Sequence, residues 1–172
     1  ICCPGSKIIF DSPVKTRAEI ALVCQEPKML VNVNSIEELA RFPQEVLCTL
    51  GIRVNPQVHT GAPEMFDVSK NESKFGVAVT ERTQIIEAAL SYPVSALHIH
   101  SGSQMKDLEV QRIALESLRD LAHEINTRLP GKISVLDIGG GLPSESMKDQ
   151  TKMKAYGSLV TEVFKGCSFK LV

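Results

Sequence analysis

A chain of 172 residues with a net charge of −1 and 43% hydrophobic residues has enough apolar material for one globular domain, and it carries no dense basic tract, which argues against nucleic acid as a partner. No run of about 18 apolar residues occurs, so no membrane span is expected. The opening Ile1-Cys2-Cys3-Pro4-Gly5 lacks the basic and apolar regions of a signal peptide. The chain is also shorter than the roughly 200 residues of a small complete (β/α)8 barrel. Its five cysteines, at 2, 3, 24, 48 and 167, are odd in number and lack metal-ligand spacing, a usage that points to reduced thiols in a cytoplasmic protein. The first residue is Ile rather than Met, which suggests a chain processed or cut from something longer.

Lys7-Ile8-Ile9-Phe10-Asp11 reads as a short buried strand. Ser12-Pro13 sets an N-cap residue before a proline at the first helical position, so a helix is expected from there to about Gln25, with Lys15 inside it and Pro27 beyond it. Met29 to Asn34 is the second strand. Ser35-Ile36-Glu37-Glu38 has the capping-box pattern and opens a helix through Arg41, stopped by Pro43. Leu50 to Asn55 is the third strand, closed by Pro56. Residues 56–76 form a long connection rich in Pro, Gly, Ser, Asn and Lys, a length that is usually functional or disordered.

A helix follows over Glu81 to Leu90, then a strand over Val94 to His100. The longest helix runs from Asp107 to Leu129, with Leu115, Leu118, Ala122, Ile125 and Leu129 at helical spacing, and Pro130-Gly131 ends it. Ile133 to Ile138 is the fifth strand. Lys148 to Lys165 is the last helix, expected to turn Met153, Tyr156, Leu159, Val160 and Val163 inward, and Phe169 to Val172 begins a further apolar segment. This alternation predicts an α/β fold with a parallel sheet and helices outside. Periodicity alone leaves an open doubly wound sheet and a barrel segment both open.

Polar residues gather at the C-terminal ends of the expected strands: Asp11, Asn32, Asn34, Arg53, Asn55, His98, His100 and Asp137. In parallel α/β folds that end carries the site. His98 and His100 alternate with Ile99 and so point to one face. They could join a metal site, stack on a flat cofactor, or sit as hydrogen-bonded core histidines. A metal site needs further ligands, and only His59 in a loop and His123 within the long helix remain. Arg53 must meet an anion or a hydrogen-bonding group, because a guanidinium buried unpaired is costly. Gly139-Gly140-Gly141 directly follows a strand, which suits either a phosphate cradle or a tight turn, and the spacing of a dinucleotide fingerprint is absent.

Four motifs in order, Arg53-Val54-Asn55-Pro56, Ser73-Lys74-Phe75-Gly76-Val77, His98-x-His100-x-Gly102-Ser103-Gln104 and Asp137-Ile138-Gly139-Gly140-Gly141-Leu142-Pro143, resemble the fold-type III pyridoxal-phosphate decarboxylases over essentially the whole chain. Among these the resemblance is closest to diaminopimelate decarboxylases, with ornithine and arginine decarboxylases similar. It implies part of a (β/α)8 TIM barrel of the alanine racemase-like type, about strands three to seven, as a single partial cofactor-binding domain over residues 1–172. It implies pyridoxal 5'-phosphate as cofactor, with the ring serving as electron sink for decarboxylation of a diamino or basic amino acid. His100 matches the histidine that stacks on the ring. Ser103, Gly139, Gly140 and Gly141 match phosphate-binding positions, and Arg53 matches the strand-end arginine beneath the cofactor.

The family's cofactor-linking lysine strand, in a motif like Ala-Val-Lys-Ala, has no counterpart here. Its Glu-Pro-Gly-Arg strand would begin just after Val172, and its C-terminal β domain is likewise missing. A homodimer is implied for the complete enzyme. An incomplete barrel exposes strand edges and its interior, so the isolated chain is expected to be poorly soluble or to need a partner. A non-catalytic homologue that binds a protein partner, and a metal-dependent hydrolase barrel, are the competing expectations.

Overall fold

The structure, a computed structural model, describes residues 7–58, 73–102, 107–143, 145 and 148–172. In chain order the elements are β1 (Ile8–Phe10), α1 (Arg17–Val23), β2 (Met29–Val33), α2 (Ile36–Leu39), β3 (Thr49–Asn55), β4 (Val77–Ala78), a single 3-10 turn (Val79–Glu81), α3 (Arg82–Ser91), β5 (Val94–Ile99), α4 (Leu108–Arg128), β6 (Val135–Asp137), α5 (Gln150–Val163) and β7 (Lys170–Leu171). The strands form one parallel sheet in the order β1-β2-β3-β5-β6-β7, and the short β4 takes up the end of β3 at Val54 and Asn55. The apolar segment expected after Phe169 is therefore a sixth strand along the main path. Its Lys170 N–H donates to Ser134 O and its Val172 N–H to Leu136 O.

Register decides which side chains share a face. Ile52 pairs with Leu97 and Val54 with Ile99, while between them Arg53 pairs with His98, and His98 in turn with Asp137. On β2, Val31 and Val33 pair with Leu50 and Ile52, and Asn32 pairs with Gly51. One face is thus apolar. It packs against Ile20, Ile85, Ile86, Leu115, Leu118 and Ile125 of the helices in one continuous core. The other face carries Asn32, Arg53, Asn55, His98 and Asp137, all buried.

A polar face can be buried because the sheet curls. Asn32 and Asp137 lie on strands three places apart, about 14 Å in a flat sheet. Yet Asn32 Nδ2 donates to Asp137 Oδ2 at 2.9 Å. At the opposite end, residues from β1 and from β7 line one cavity of about 190 Å³ together with Leu30, Thr49 and Val135. The sheet is a partial barrel with its polar face inside.

Two expectations are corrected. The first helix begins at Arg17, not at Pro13. Thr16 is its N-cap, and Thr16 and Glu19 close a reciprocal capping box that satisfies two otherwise orphaned N–H groups, which Ser12 does not achieve. Lys15 consequently stands in the β1–α1 loop and not in a helix. Met153 is 39% exposed rather than inward, because α5 buries only Leu159 and Val163 along its length. The long connection after Pro56 falls mostly at 59–72, outside the described residues.

Candidate functional site

Each interior side chain arrives from a strand end or the loop just after it. His98 is the centre. Its Nδ1 lies 3.1 Å from Asp137 Oδ2, and its Nε2 lies 3.3 Å from Asp11 Oδ2, near enough for ion pairing although not aligned as a hydrogen bond. Burial opposes charge on His98, but the two carboxylates outweigh it and raise its pKa above the usual histidine value. Asp11 and Asp137 pay for burial too, yet His98 on both, with Arg53 beside Asp11 and the Gly139 N–H on Asp137, holds their carboxyls below the usual range. His98 is thus held between the loop after β1 and β6, and both carboxylates favour its protonated form.

Those directions predict a pH window. His98 holds its proton more tightly when folded, so its stabilisation is complete below its unfolded pKa of about 6.5 and is lost as pH rises through the higher folded value. Asp11 and Asp137 act oppositely. Their stabilisation is complete above about 3.8 and is lost as pH falls through the lower folded values. The urea midpoint should be highest between roughly pH 4 and 6.5 and fall on either side. His98→Gln should flatten the alkaline limb, and an unchanged limb would show that His98 does not carry it.

Arg53 is buried, its Nη1 3.4 Å from Asp11 Oδ2 and its guanidinium 4.9 Å from the centre of the Phe75 ring. Phe75 is placed there by Asn34, whose Nδ2 donates to Lys74 O and whose Oδ1 accepts the Gly76 N–H. The Ser73-to-Gly76 motif is therefore a fixed turn over the site. His100 follows β5 by one residue and is partly buried. Burial, then the positive charges of Arg53 and His98, push its pKa down, so its ring is neutral at pH 7.

The glycine turn follows β6. Gly139 has φ +64° and its N–H donates to Asp137 Oδ1. A Cβ on Gly139 would collide with Ile99 O, whereas one on Gly140 meets nothing within 4 Å. Gly139 makes the turn, and Gly140 faces open space.

The structure brings together Arg53, His100 and Gly139 to Gly141 at one end of the sheet, with Asp11, Asn32, Asn55, His98 and Asp137. Ser103 and His59 lie outside the described residues. His98 Nδ1 lies 3.2 Å from the Asp137 backbone carbonyl as well as beside its carboxylate, and Nε2 faces Asp11. Among the described residues no group of three His, Cys, Asp or Glu is arranged to hold a metal ion, and no helix is long and apolar enough to cross a membrane. His123 is remote from this end and lies 3.5 Å from Cys167 on the outer side.

Lys15 and Glu38 were not expected here. Lys15 is fully buried, its Nζ donating to Ser12 O at 2.7 Å, Asn32 O at 2.7 Å and Glu38 Oε2 at 3.3 Å. Glu38 also accepts the N–H groups of Lys15 and Asn34. The signal was present as Thr16-x-x-Glu19, which starts the helix one residue after Lys15 and frees its side chain to turn inward.

Comparison with known proteins shows the family and the fold. A diaminopimelate decarboxylase of Pseudomonas aeruginosa is 34% identical over 80% of this chain and 35% of that protein. One from Zymomonas mobilis is 27% identical over 98% of this chain and 42% of that protein. The crystal structure of diaminopimelate decarboxylase from Helicobacter pylori complexed with L-lysine superposes with a TM-score of 0.81 at 22% identity, over 95% of this chain and 43% of that one, which shows the fold. The chain spans less than half the length of these relatives. The family described as pyridoxal-dependent decarboxylase, pyridoxal binding domain, matches residues 1–169, and the chain belongs to it.

Proposed function

We propose that this chain is the cofactor-binding barrel portion of a pyridoxal-phosphate-dependent amino-acid decarboxylase that converts meso-diaminopimelate to L-lysine. The observation that carries this reading is the convergence of a neutral, partly buried imidazole (His100), a buried guanidinium with a single side-chain hydrogen bond among the described residues (Arg53) and a glycine turn with open space at Gly140. These residues fit the group. A flat aromatic ring needs a flat neighbour, and a phosphate needs N–H donors and a nearby cation.

When bound, pyridoxal phosphate supplies the sink for the electron pair left as the substrate carboxylate departs. The chain's own residues hold and orient it. His100 offers an uncharged face for stacking. Gly140 and Gly141 keep their N–H groups for the phosphate, because that of Gly139 is taken by Asp137. Ser103 matches a phosphate-binding position of the family by its place in the sequence. Arg53 supplies the positive charge beneath, held in place by Phe75 and Asp11.

The diaminopimelate decarboxylases among the relatives, and the Gly102-Ser103-Gln104 and Ser73-Lys74-Phe75-Gly76 motifs, favour diaminopimelate over ornithine. The unpaired thiols of Cys24, Cys48 and Cys167 suit a cytoplasmic setting, or a plastid in a plant or alga. The family resemblance supports a homodimer as the complete enzyme.

The test uses the full-length protein carrying this chain. It should take up pyridoxal phosphate and release carbon dioxide from diaminopimelate. His100→Ala should weaken cofactor binding roughly two- to tenfold, the worth of one aromatic stack. His100→Phe, which keeps a flat ring, should retain most of it. Carbon dioxide from arginine or ornithine instead would reassign the substrate. Cofactor binding with no decarboxylation would make the protein a non-catalytic homologue, and no cofactor binding would end the reading.

A further inference from the structure

Arg53 is only 6% exposed, yet its five N–H donors make one hydrogen bond to a described residue, the 3.4 Å contact from Nη1 to Asp11 Oδ2. That contact is long, and the oxygen is shared, since His98 Nε2 lies 3.3 Å from the same atom. The paired N–H bonds that make arginine–carboxylate contacts strong are absent. Phe75 stacks on the guanidinium, which leaves the donors at the edge of its plane available. Asp11 is the most open of the three, its side chain 30% exposed against 7% for Arg53 and 4% for His98. In this layer Arg53 and His98 face the carboxylates of Asp11 and Asp137, at 3.4 Å for Arg53 to Asp11 and 3.3 and 3.1 Å for His98 to Asp11 and Asp137.

We propose that Asp11 is a built-in competitor for the oxyanion that Arg53 receives: its carboxylate holds the guanidinium through one oxygen and yields it to a carboxylate or phosphate that can take two N–H bonds. Asp11 is then a positioning residue. It keeps Arg53 aimed and its charge balanced while the site is open, and it lowers anion affinity as the cost. On release Asp11 stays beside His98, which has no other partner at Nε2 among the described residues. Asp11 comes from the loop after β1, so the competitor and the receiving arginine sit on different strands. Their coupling depends on the curl of the sheet. The inference rests on reading Arg53 as the anion-binding residue of the proposed cofactor site, but its test needs no cofactor.

The experiment titrates the full-length protein, free of cofactor, with inorganic phosphate and separately with acetate, following the histidine ring signals by NMR. Asp11→Asn should bind one or both anions roughly fivefold more tightly, the worth of one partly exposed ion pair. In an Arg53→Met background the same substitution should change nothing. The groups facing His98 are Asp11 from the β1 loop, Asp137 from β6, Arg53 from β3 and His100 on its own strand, with Lys15 acting on Asp11. Removing the Asp11 charge should therefore also move the His98 titration to lower pH. Should Asp11→Asn fail to fold, Asp11→Ser removes the same charge and carries the same expectation. A gain for phosphate alone or acetate alone supports the proposal and says which oxyanion the arginine receives. No gain for either, or a gain that survives in the Arg53→Met background, overturns it. Failure of cofactor binding would end the decarboxylase reading while leaving these titrations interpretable.

Discussion

Lys15→Met should lower the unfolding free energy by about 3–5 kcal/mol, the usual cost of removing one member of a buried ion pair. That is a large share of the roughly 5–15 kcal/mol that holds a typical domain folded. The side chain is fully buried, its amine 5.5 Å from the centre of the Phe10 ring. Its Nζ serves Ser12 O, Asn32 O and Glu38 Oε2 together. Methionine fills most of the volume but supplies none of those bonds, and it leaves Glu38 as an uncompensated buried charge. Burial pushes the lysine pKa down and Glu38 pulls it back up, so the ammonium depends on that carboxylate. Lys15→Met combined with Glu38→Gln should recover a substantial part of the loss, because the stranded charge is gone while the acceptor for the Lys15 N–H remains. Urea unfolding of the parent protein and the two variants decides it. An unchanged midpoint for Lys15→Met alone would mean that the amine is not paired as described.

Gly139→Ala and Gly140→Ala should differ sharply although the residues are adjacent. At Gly139 the backbone is left-handed, φ +64°, which costs an L-residue about 1–2 kcal/mol. The new methyl would also press on Ile99 O and the His100 Cα, a backbone collision with no flexible side chain to give way. Overpacking of that kind adds about 1–3 kcal/mol. The strain would fall on the link between the end of β5 and the glycine turn, so pyridoxal phosphate affinity should drop by an order of magnitude or more. At Gly140 a Cβ meets nothing, and stability should change little. Thermal melting separates the two, and cofactor titration of the full-length protein reads the site. Equal stability for both variants would show that Ile99 and Gly139 are not in contact.

The elements and the side of the sheet that carries the site were legible in the residues themselves. Alternation along Leu50 to Asn55 places Leu50, Ile52 and Val54 on one face and Gly51, Arg53 and Asn55 on the other, whatever the partner strands are. The same holds for His98 and His100 around Ile99. The glycine run after Asp137 marks a turn that needs left-handed backbone, and Gly139 adopts it. These are local properties, set by a period of two and by the absence of a side chain.

Other features were decided only by the tertiary structure. Asn32 and Asp137 are 105 residues apart in the chain, and only the curl of the sheet brings them to 2.9 Å. Asp11 reaches Arg53 on β3 and His98 on β5 for the same reason, across β2 in the first case and across β2 and β3 of the sheet in the second. Lys15 is the sharper case. Ser12-Pro13 and Thr16-x-x-Glu19 both read as helix starts, and the reciprocal capping box favours the second locally. What only the tertiary structure shows is that this start also lets the Lys15 amine reach Asn32 O on β2 and the carboxylate of Glu38 on α2. A charge can be buried only where a partner waits, and that partner is set by long-range packing rather than by neighbouring residues.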